Sequence, residues 1–236
     1  SGLGEATRLT ARPQVAEVEE LSRFAIGMDP RDPVRVAQGI YKGQFLVNTA
    51  AGSAIEIACW DILARSLGAP LYRLLGGCTQ ERLRVYANGW YRCPRKPAAF
   101  AERAAEVVSM GYTALKFDPF GTAYGTLSAA EERLSLDIVR AVREAVGADV
   151  DLLIEGHDRF NVSTAVRVGR ALAEFAPRWF ETPVNSGNIA ATVDVARRIP
   201  VPVAAGERFE YLHQFAELLR HGAVDIVQPE PLHIGG

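Results

Sequence analysis

The sequence predicts an α/β fold in which parallel strands alternate with helices, as they do in a (β/α) barrel. From residue 82 onward, short β-branched or apolar runs alternate with longer amphipathic runs. Strands that alternate with helices form βαβ units and a parallel sheet, and successive units with one crossover hand curl toward a barrel. A doubly wound open sheet is the main alternative, but no glycine-rich phosphate loop follows the first predicted strand, which disfavours that fold.

The predicted elements form a helix-rich beginning and a longer part built from strand–helix units. Helices are expected at residues 14–26 and 53–67, and Gly68 and Pro70 end the second helix. Six strands are expected, at residues 84–88, 114–117, 151–155, 179–181, 203–207 and 226–228. The helices between them are expected at residues 98–109, 129–146, 163–175, 189–199 and 211–221.

The change of pattern near residue 80 predicts two domains, which the length of 236 residues allows. Residues 1–80 are expected to form a helical domain, and residues 81–236 the first six βα units of a barrel. Because six strands would leave open sheet edges, the sequence is expected to be a piece of a longer protein.

Composition and charge exclude several classes of function. The chain is 48% hydrophobic and 23% charged, as is ordinary for a soluble globular protein. The net charge is −2 with no basic block, which argues against nucleic acid as a partner, and no signal peptide or long apolar run supports secretion or a membrane. Cys59, Cys78 and Cys93 lack CxxC spacing and are expected to be reduced, mostly buried thiols of a cytoplasmic protein.

Three of the predicted strands end in an acid. Glu155, Glu181 and Glu207 follow one another at intervals of 26 residues, which suits one βα unit each. Equal spacing is expected to place them at one level of the carboxyl rim, where barrel active sites are built. A single glutamate there is usually solvated or a helix-cap partner, but three converging carboxylates repel one another unless a cation lies between them. Hard oxygen ligands suit Mg²⁺, so the sequence predicts a Mg²⁺ site.

Residues 50–77, AAGSAIEIACWDILARSLGAPLYRLLGG, resemble the helix and turn of the mandelate racemase/muconate lactonizing subgroup of the enolase superfamily. The strand ends around Glu181 (Phe-Glu-Thr-Pro) and Glu207 (Ala-Gly-Glu) resemble the second and third metal ligands of that family. The resemblance covers nearly the whole chain. It implies that residues 1–80 are the C-terminal, helical part of an α+β capping domain packed on an enolase-type (β/α)₇β barrel. It also implies a metal-stabilised enolate formed next to a carboxylate.

The resemblance assigns further roles around the first predicted ligand. Glu155 stands where the family most often has Asp, and it keeps the charge and the donor type. His157 lies in an acid-x-His-x-Arg pattern that resembles the sugar-acid dehydratases, such as the galactonate dehydratases. There the histidine acts as the acid that helps the β-hydroxyl leave. A histidine that only forms hydrogen bonds within its loop is the alternative.

Lys116 and Asp118 stand where the racemases of this family have a Lys-x-Lys pair. Asp118 replaces the lysine that is the usual base there, so a two-base racemase is disfavoured and Asp118 becomes a candidate catalytic residue. Lys116 is expected either to neutralise or polarise the substrate carboxylate, or to form a salt bridge with Asp118 or a neighbouring acid.

Four residues are candidates for substrate binding. Arg159 and Arg208 each follow a predicted strand end, and each could pair with the substrate or with neighbouring acids. Glu230 ends a Gln-Pro-Glu run that resembles the Gln-Pro-Asp with which the family supports the metal site or a nearby base. His233 follows in a loop that faces either the substrate or solvent.

The resemblance predicts Mg²⁺-dependent dehydration of a small carboxylate substrate, an aldonate or aldarate, to a 2-keto-3-deoxy sugar acid. Mg²⁺ and Lys116 are expected to stabilise the enediolate, and the general base is expected on a seventh strand that this sequence does not contain. A cycloisomerase acting on a sugar lactone or anhydro-sugar acid is the alternative within the superfamily. An inactive barrel fragment serving as a binding or assembly module is the alternative from another class. The resemblance further implies a homo-oligomer.

Overall fold

The computed structural model describes residues 1–7, 10–44 and 49–236, and these divide into two compact units. The first unit comprises Ser1–Leu83, Arg208–Gln214 and Pro229–Gly236. The second unit comprises Arg84–Glu207 and Phe215–Gln228. None of the helices described is both long enough and apolar enough to cross a lipid bilayer.

The first unit is helical in its described part. Its helices are α1 (Ala11–Ser22), α2 (Pro33–Gln44), α3 (Ala50–Ser66) and α4 (Leu71–Leu74). Their shared core is made of Leu21, Val36, Ile40, Ala51 and Cys59. Helix α3 begins three residues before the predicted start because Thr49 Oγ1 caps it, accepting the backbone N–H of Gly52 at 3.0 Å. The free thiol Cys59 is buried as expected, but Cys78 is exposed, so the expectation of mostly buried thiols was wrong for that residue.

The second unit is built on a parallel sheet that follows the order of the chain. Within the described residues it has five strands, β1 (Ala114–Phe117), β2 (Asp151–Glu155), β3 (Trp179–Glu181), β4 (Val203–Ala205) and β5 (Ile226–Val227). Each strand pairs in parallel with the next one along the chain. A doubly wound sheet reverses its strand order at a switch point, and this sheet does not. The predicted α/β fold, with a parallel sheet that follows the chain order as in a barrel, is therefore confirmed.

Helices separate the strands, as the pattern of the sequence predicts. They are α5 (Pro97–Ser109), α6 (Ala129–Val146), α7 (Val162–Leu172), α8 (Ile189–Arg198) and α9 (Leu212–Arg220), and a 3₁₀ turn (Ala173–Phe175) follows α7. Side chains cap three of these helices: Ser128 accepts the N–H of Glu131 at 3.2 Å, and Asn161 and Asn188 cap α7 and α8 in the same way. These caps explain why the predicted starts at residues 129 and 189 agree with the structure.

The first predicted strand, at residues 84–88, does not form. Only Ala87 pairs with β1, through a single parallel bridge to Leu115. Leu83 and Val85 are 76% and 64% exposed, so the apolar pattern there does not face a core. Because only one residue of the segment is buried, too few side chains pack against the core to stabilise a longer strand pairing. The prediction of a strand was therefore wrong.

Candidate metal centre

Glu155 and Glu181 lie side by side at the carboxyl ends of β2 and β3. They are register partners in the sheet, and each side chain is 1% exposed. Glu207 lies beyond the end of its strand. Strand β4 ends at Ala205, and Gly206, with a φ of 119°, changes the chain direction before Glu207. The prediction that Glu207 closes a strand at residues 203–207 was wrong, and equal spacing along the chain does not mean equal level in the sheet.

The three carboxylates nevertheless converge. Each offers an oxygen that lies within 4.8 Å of an oxygen of the other two. Carboxylate oxygens are the ligands of hard divalent cations such as Mg²⁺ and Ca²⁺, whereas softer metals prefer thiolate or imidazole. The donor set of Glu155, Glu181 and Glu207 therefore fits a hard cation, and it can bind one while leaving positions for water or substrate.

Lys116 lies on β1 and directs its ammonium at two of these acids. Its Nζ donates a hydrogen bond to Oε1 of Glu181 and lies 2.9 Å from Oε2 of Glu155. The ammonium also lies 5.8 Å from the ring centroid of Tyr86, over the face of the ring. The structure thus has the arrangement in which Lys116 pairs with neighbouring acids, and its partners are not Asp118. The role of Lys116 toward a substrate stays a prediction.

Crowding of buried charge shifts the pKa values of this group. Burial, followed by the charge of Glu181, raises the pKa of Glu155 from 4.5 to about 7. Burial also acts to raise the pKa of Glu181, but the charge of Lys116 and several hydrogen bonds outweigh it, so this pKa is lowered. Burial opposes the charge of Lys116, but the two carboxylates outweigh burial and raise its pKa. A divalent cation would favour ionisation of both acids.

Two partners of Glu181 are not among the residues predicted from the sequence. Nε1 of Trp179 donates a hydrogen bond to Oε2 of Glu181 at 2.8 Å, and the side chain of Gln228 contributes another. Such partners fix the orientation of a metal-binding carboxylate. Side chains two residues apart in a strand share a face, which is a signal that could have identified Trp179. Gln228 follows β5, and no local pattern links it to Glu181.

A second polar group, here called the Asp118 cluster, consists of Asp118, His157 and Arg159. It joins the end of β1 to the loop that follows β2. Oδ2 of Asp118 lies 2.7 Å from Nδ1 of His157 and accepts a hydrogen bond from Nη2 of Arg159. The hydrogen bond with Asp118, opposed by partial burial, raises the pKa of His157. The structure therefore brings these three predicted residues into direct contact with one another.

Arg159 is held by backbone carbonyls as well as by Asp118. Its Nε donates to the carbonyl of Gly156 at 2.9 Å, and its Nη1 donates to the carbonyl of Gly121 at 2.7 Å. The residue is only 9% exposed. This is the arrangement in which the arginine pairs with a neighbouring acid, so substrate binding by Arg159 stays a prediction.

The backbone is constrained in the loops that follow Glu155 and Glu181. His157, Asp158 and Thr182 have φ values of 50°, 62° and 41°, which are uncommon for residues other than glycine. Gly156 lies against the neighbouring loop so closely that a Cβ would come within 2.9 Å of the carbonyl oxygen of Glu181. Strained backbone of this kind persists where the surrounding structure fixes it, and it is concentrated at functional sites.

The other predicted substrate-binding residues, Arg208, Glu230 and His233, belong to the first unit. The side chain of Glu230 accepts the backbone N–H of Leu232 at 3.1 Å, and its carbonyl accepts the N–H of His233 at 2.8 Å. The turn at Glu230 is therefore ordered by local hydrogen bonds. Contact of these three residues with a substrate stays a prediction.

Comparison with known proteins relates the chain to enzymes of sugar-acid metabolism. It is 41% identical to a D-gluconate dehydratase of Thermoproteus tenax over 99% of this chain and 48% of that protein. It is 38% identical to a D-gluconate/D-galactonate dehydratase of Picrophilus torridus over 97% of this chain and 60% of that protein. A D-galactarolactone cycloisomerase of Agrobacterium fabrum is 35% identical over 96% and 59% of the two chains. The chain thus spans about half to three fifths of the length of these relatives.

A solved structure and two family matches agree with these relatives. A member of the enolase superfamily from Salmonella Typhimurium superposes with a TM-score of 0.88 and 31% identity, over 100% of this chain and 67% of that one. Residues 1–76 match the mandelate racemase/muconate lactonizing enzyme N-terminal domain. Residues 99–236 match the enolase C-terminal domain-like family. The chain belongs to the mandelate racemase/muconate lactonizing enzyme family of the enolase superfamily.

Proposed function

We propose that this protein is a Mg²⁺-dependent dehydratase of sugar acids, and that Glu155, Glu181 and Glu207 hold the ion. The observation that carries the proposal is the convergence of three carboxylate oxygens within 4.8 Å, beside a histidine, at the carboxyl rim of a parallel sheet. The dehydratases among the relatives support sugar acids as the substrate class. When bound, Mg²⁺ would supply Lewis-acid stabilisation of the negative charge that develops on the substrate carboxylate.

The side chains of this chain contribute charge and a proton. Lys116 brings a positive charge to the rim next to Glu155 and Glu181, where an anionic substrate would be attracted to it. His157 has a 41% exposed side chain, so its ring can reach a molecule bound outside the sheet. After a general base has taken the proton next to the carboxylate, the electron pair left behind forms a carbon–carbon double bond as the carbon–oxygen bond breaks. The proton on His157 moves to the departing β-hydroxyl, and water leaves.

A cycloisomerase is the second candidate, and the observation that favours it is the 35% identity to a D-galactarolactone cycloisomerase. Both reactions use an enolate next to a carboxylate, and they differ in whether the departing oxygen belongs to a ring. The candidate metal centre, formed by Glu155, Glu181 and Glu207, would serve either reaction. A homo-oligomeric state and a cytoplasmic location belong to the same proposal and are tested by light scattering and by cell fractionation.

Turnover of sugar acids tests the proposal. The protein is incubated with Mg²⁺ and a panel that includes D-gluconate, D-galactonate and D-galactarate, and 2-keto acid is measured with semicarbazide. Mass spectrometry separates the two candidates, because dehydration removes the mass of water and isomerisation leaves the mass unchanged. We expect 2-keto acid from at least one aldonate, and we expect EDTA to abolish it.

Variants assign the activity to the proposed site. Glu181→Gln removes a proposed ligand and His157→Asn removes the proposed acid, and both are expected to abolish keto-acid formation. The matched control is Glu132→Gln, because Glu132 lies outside the site. Its Oε2 forms an ion pair with Nε of Arg167 at 2.7 Å, which joins helices α6 and α7. Absence of keto acid from every substrate, while the protein still binds Mg²⁺, would contradict the dehydratase.

A further inference from the structure

The Asp118 cluster defines where the proton of His157 lies. Asp118 receives a hydrogen bond from the guanidinium of Arg159 on Oδ2 and from the backbone N–H of Phe120 on Oδ1, at 2.8 Å for the latter. Both contacts favour the ionised carboxylate, which can only accept hydrogen bonds. Nδ1 of His157 lies 2.7 Å from Oδ2. Two acceptors would repel at this distance, so Nδ1 carries a proton and donates it to Asp118.

A competing contact is too weak to reverse this assignment. Nη2 of Arg159 lies 3.5 Å from Nδ1 of His157, where it could donate only if Nδ1 had no proton. A separation of 3.5 Å is long for a hydrogen bond between nitrogen atoms, whereas 2.7 Å to a carboxylate is typical of a charge-assisted one. The carboxylate therefore determines the tautomer.

The cluster also fixes the direction of the ring. The backbone N–H of His157 donates to Oε1 of Glu155 at 2.8 Å, which ties the loop to the metal centre. Arg159 holds Asp118 from the other side, and the carbonyls of Gly156 and Gly121 hold Arg159. With Nδ1 turned toward Asp118, Nε2 is the ring nitrogen left for the open side of the loop, and it has no hydrogen-bond partner among the residues that the structure describes.

We propose that Asp118 is a positioning residue that holds His157 as the Nδ1–H tautomer, so that Nε2 exchanges the proton with the substrate. The last step rests on the proposed function, but the tautomer and the orientation do not. The proton balance is complete: the Nε2–H bond breaks, the proton joins the departing hydroxyl, and the neutral ring remains with its Nδ1 proton on Asp118. A carboxylate that orients a catalytic histidine through Nδ1 has this effect in serine proteases. Asp118 itself touches no reacting atom in this arrangement.

Nitrogen NMR of the histidine rings tests the assignment without turnover. The chain contains four histidines, so ¹⁵N-histidine labelling yields few signals, and His157→Asn identifies the one from His157. At alkaline pH, where the ring is neutral, we expect the Nδ1–H tautomer for His157, whereas a free imidazole side chain favours Nε2–H. An Nε2–H tautomer in the unmodified chain would overturn the proposal.

A variant tests whether Asp118 causes the preference. Asp118→Ala removes the acceptor, and we expect the signal of His157 to shift toward the Nε2–H tautomer, while Glu132→Gln leaves it unchanged. A folded Asp118→Ala chain that keeps the Nδ1–H tautomer would overturn the proposal. If Asp118→Ala does not fold, the tautomer of His157 measured in the unmodified chain tests the proposal by itself. Keto-acid formation together with an Nε2–H tautomer would refute only the positioning role, and an Nδ1–H tautomer without turnover would refute only the dehydratase.

Discussion

Two neighbouring groups of charged side chains at the rim of the sheet differ in how their charge is balanced. In the Asp118 cluster, the carboxylate meets the guanidinium of Arg159 and a ring N–H of His157. In the metal centre, Glu155 and Glu181 share the ammonium of Lys116 among the described side chains, and Glu207 lies within 4.8 Å of both. The first group is balanced by its own residues and is suited to hold a side chain in place. In the second group, the two buried carboxylates of Glu155 and Glu181 share one ammonium, so this pair is suited to receive a cation.

The largest expected effect comes from removing the ammonium of Lys116, which pairs with Glu155 and Glu181. Lys116→Met leaves two buried carboxylates without their ammonium, and breaking a buried pair in this way costs about 3–5 kcal/mol. We expect this loss in the free energy of unfolding measured by urea denaturation in EDTA. Mg²⁺ is expected to restore most of it, because the ion takes over the role of the ammonium. The control Lys96→Met changes an exposed lysine and is expected to be neutral.

Equal destabilisation of Lys116→Met with and without Mg²⁺ would contradict the contrast between the two groups. It would mean that the charge of Glu155 and Glu181 is balanced within the protein, as that of Asp118 is.

A smaller effect is expected from replacing one carboxylate of the metal centre with a neutral amide. Glu181→Gln keeps the size of the side chain but loses its charge. We expect the affinity for Mg²⁺ to fall by at least about 100-fold, because changes to residues that only support a metal ligand already cost about 10–100-fold. Isothermal titration calorimetry measures the change, and Glu132→Gln is the control. An affinity unchanged by Glu181→Gln would place the ion elsewhere.

Gly156 connects the two groups, because it lies between Glu155 and His157. An added Cβ would meet the backbone of Pro183 at 2.8 Å and the carbonyl oxygens of Glu181 and Thr182 at 2.9 Å. Backbone cannot move as a flexible side chain can, so Gly156→Ala is expected to destabilise the protein by about 1–3 kcal/mol. Thermal denaturation measures this. A neutral Gly156→Ala would show that the loops are not closely packed.

The matched control for this substitution is Gly52→Ala in helix α3. There the nearest atoms to an added Cβ lie 3.4 and 3.6 Å away, which is ordinary contact. Alanine is favoured over glycine within a helix by about 1 kcal/mol, so this variant is expected to be neutral or slightly more stable.

Stability is also expected to depend on pH. The pKa of Glu155 is raised from 4.5 to about 7 in the folded chain, so folding favours its protonated form. In EDTA, its contribution to stability is fully present below pH 4.5 and is lost as the pH rises through about 7. Urea denaturation at a series of pH values is expected to show this decline, and Glu155→Gln is expected to remove it. A rise in stability over the same pH range that depends on Glu155 would contradict the assigned shift.

Much of the sheet could be predicted from local pattern. The predicted bounds of β1, β2, β3 and α6 agree with the structure at both ends, because caps and short apolar runs define them within a few residues of sequence. The predicted strand at residues 84–88 failed because an apolar pattern does not reveal which side chains find a core. The position of Glu207 depends on the turn at Gly206, which spacing alone does not describe.

The sequence predicts which residues belong to the candidate site but not which of them contact one another. The sequence places His157 and Arg159 in one motif and Asp118 in another, and nothing local connects an aspartate after β1 with a loop some forty residues later. For the same reason, the sequence alone does not decide whether Lys116 contacts the substrate or the neighbouring acids. Long-range contacts of this kind depend on the register of β1 with β2, which only the folded structure supplies.

Binding of Mg²⁺ by the unmodified chain tests the central claim most directly. In calorimetric titrations at neutral pH, in two buffers with different ionisation enthalpies, we predict saturable binding of one ion per chain. We also predict release of protons, because the ion ionises Glu155, whose pKa is raised to about 7. Absence of saturable Mg²⁺ binding, or binding that survives both Glu155→Gln and Glu181→Gln, would contradict the metal centre.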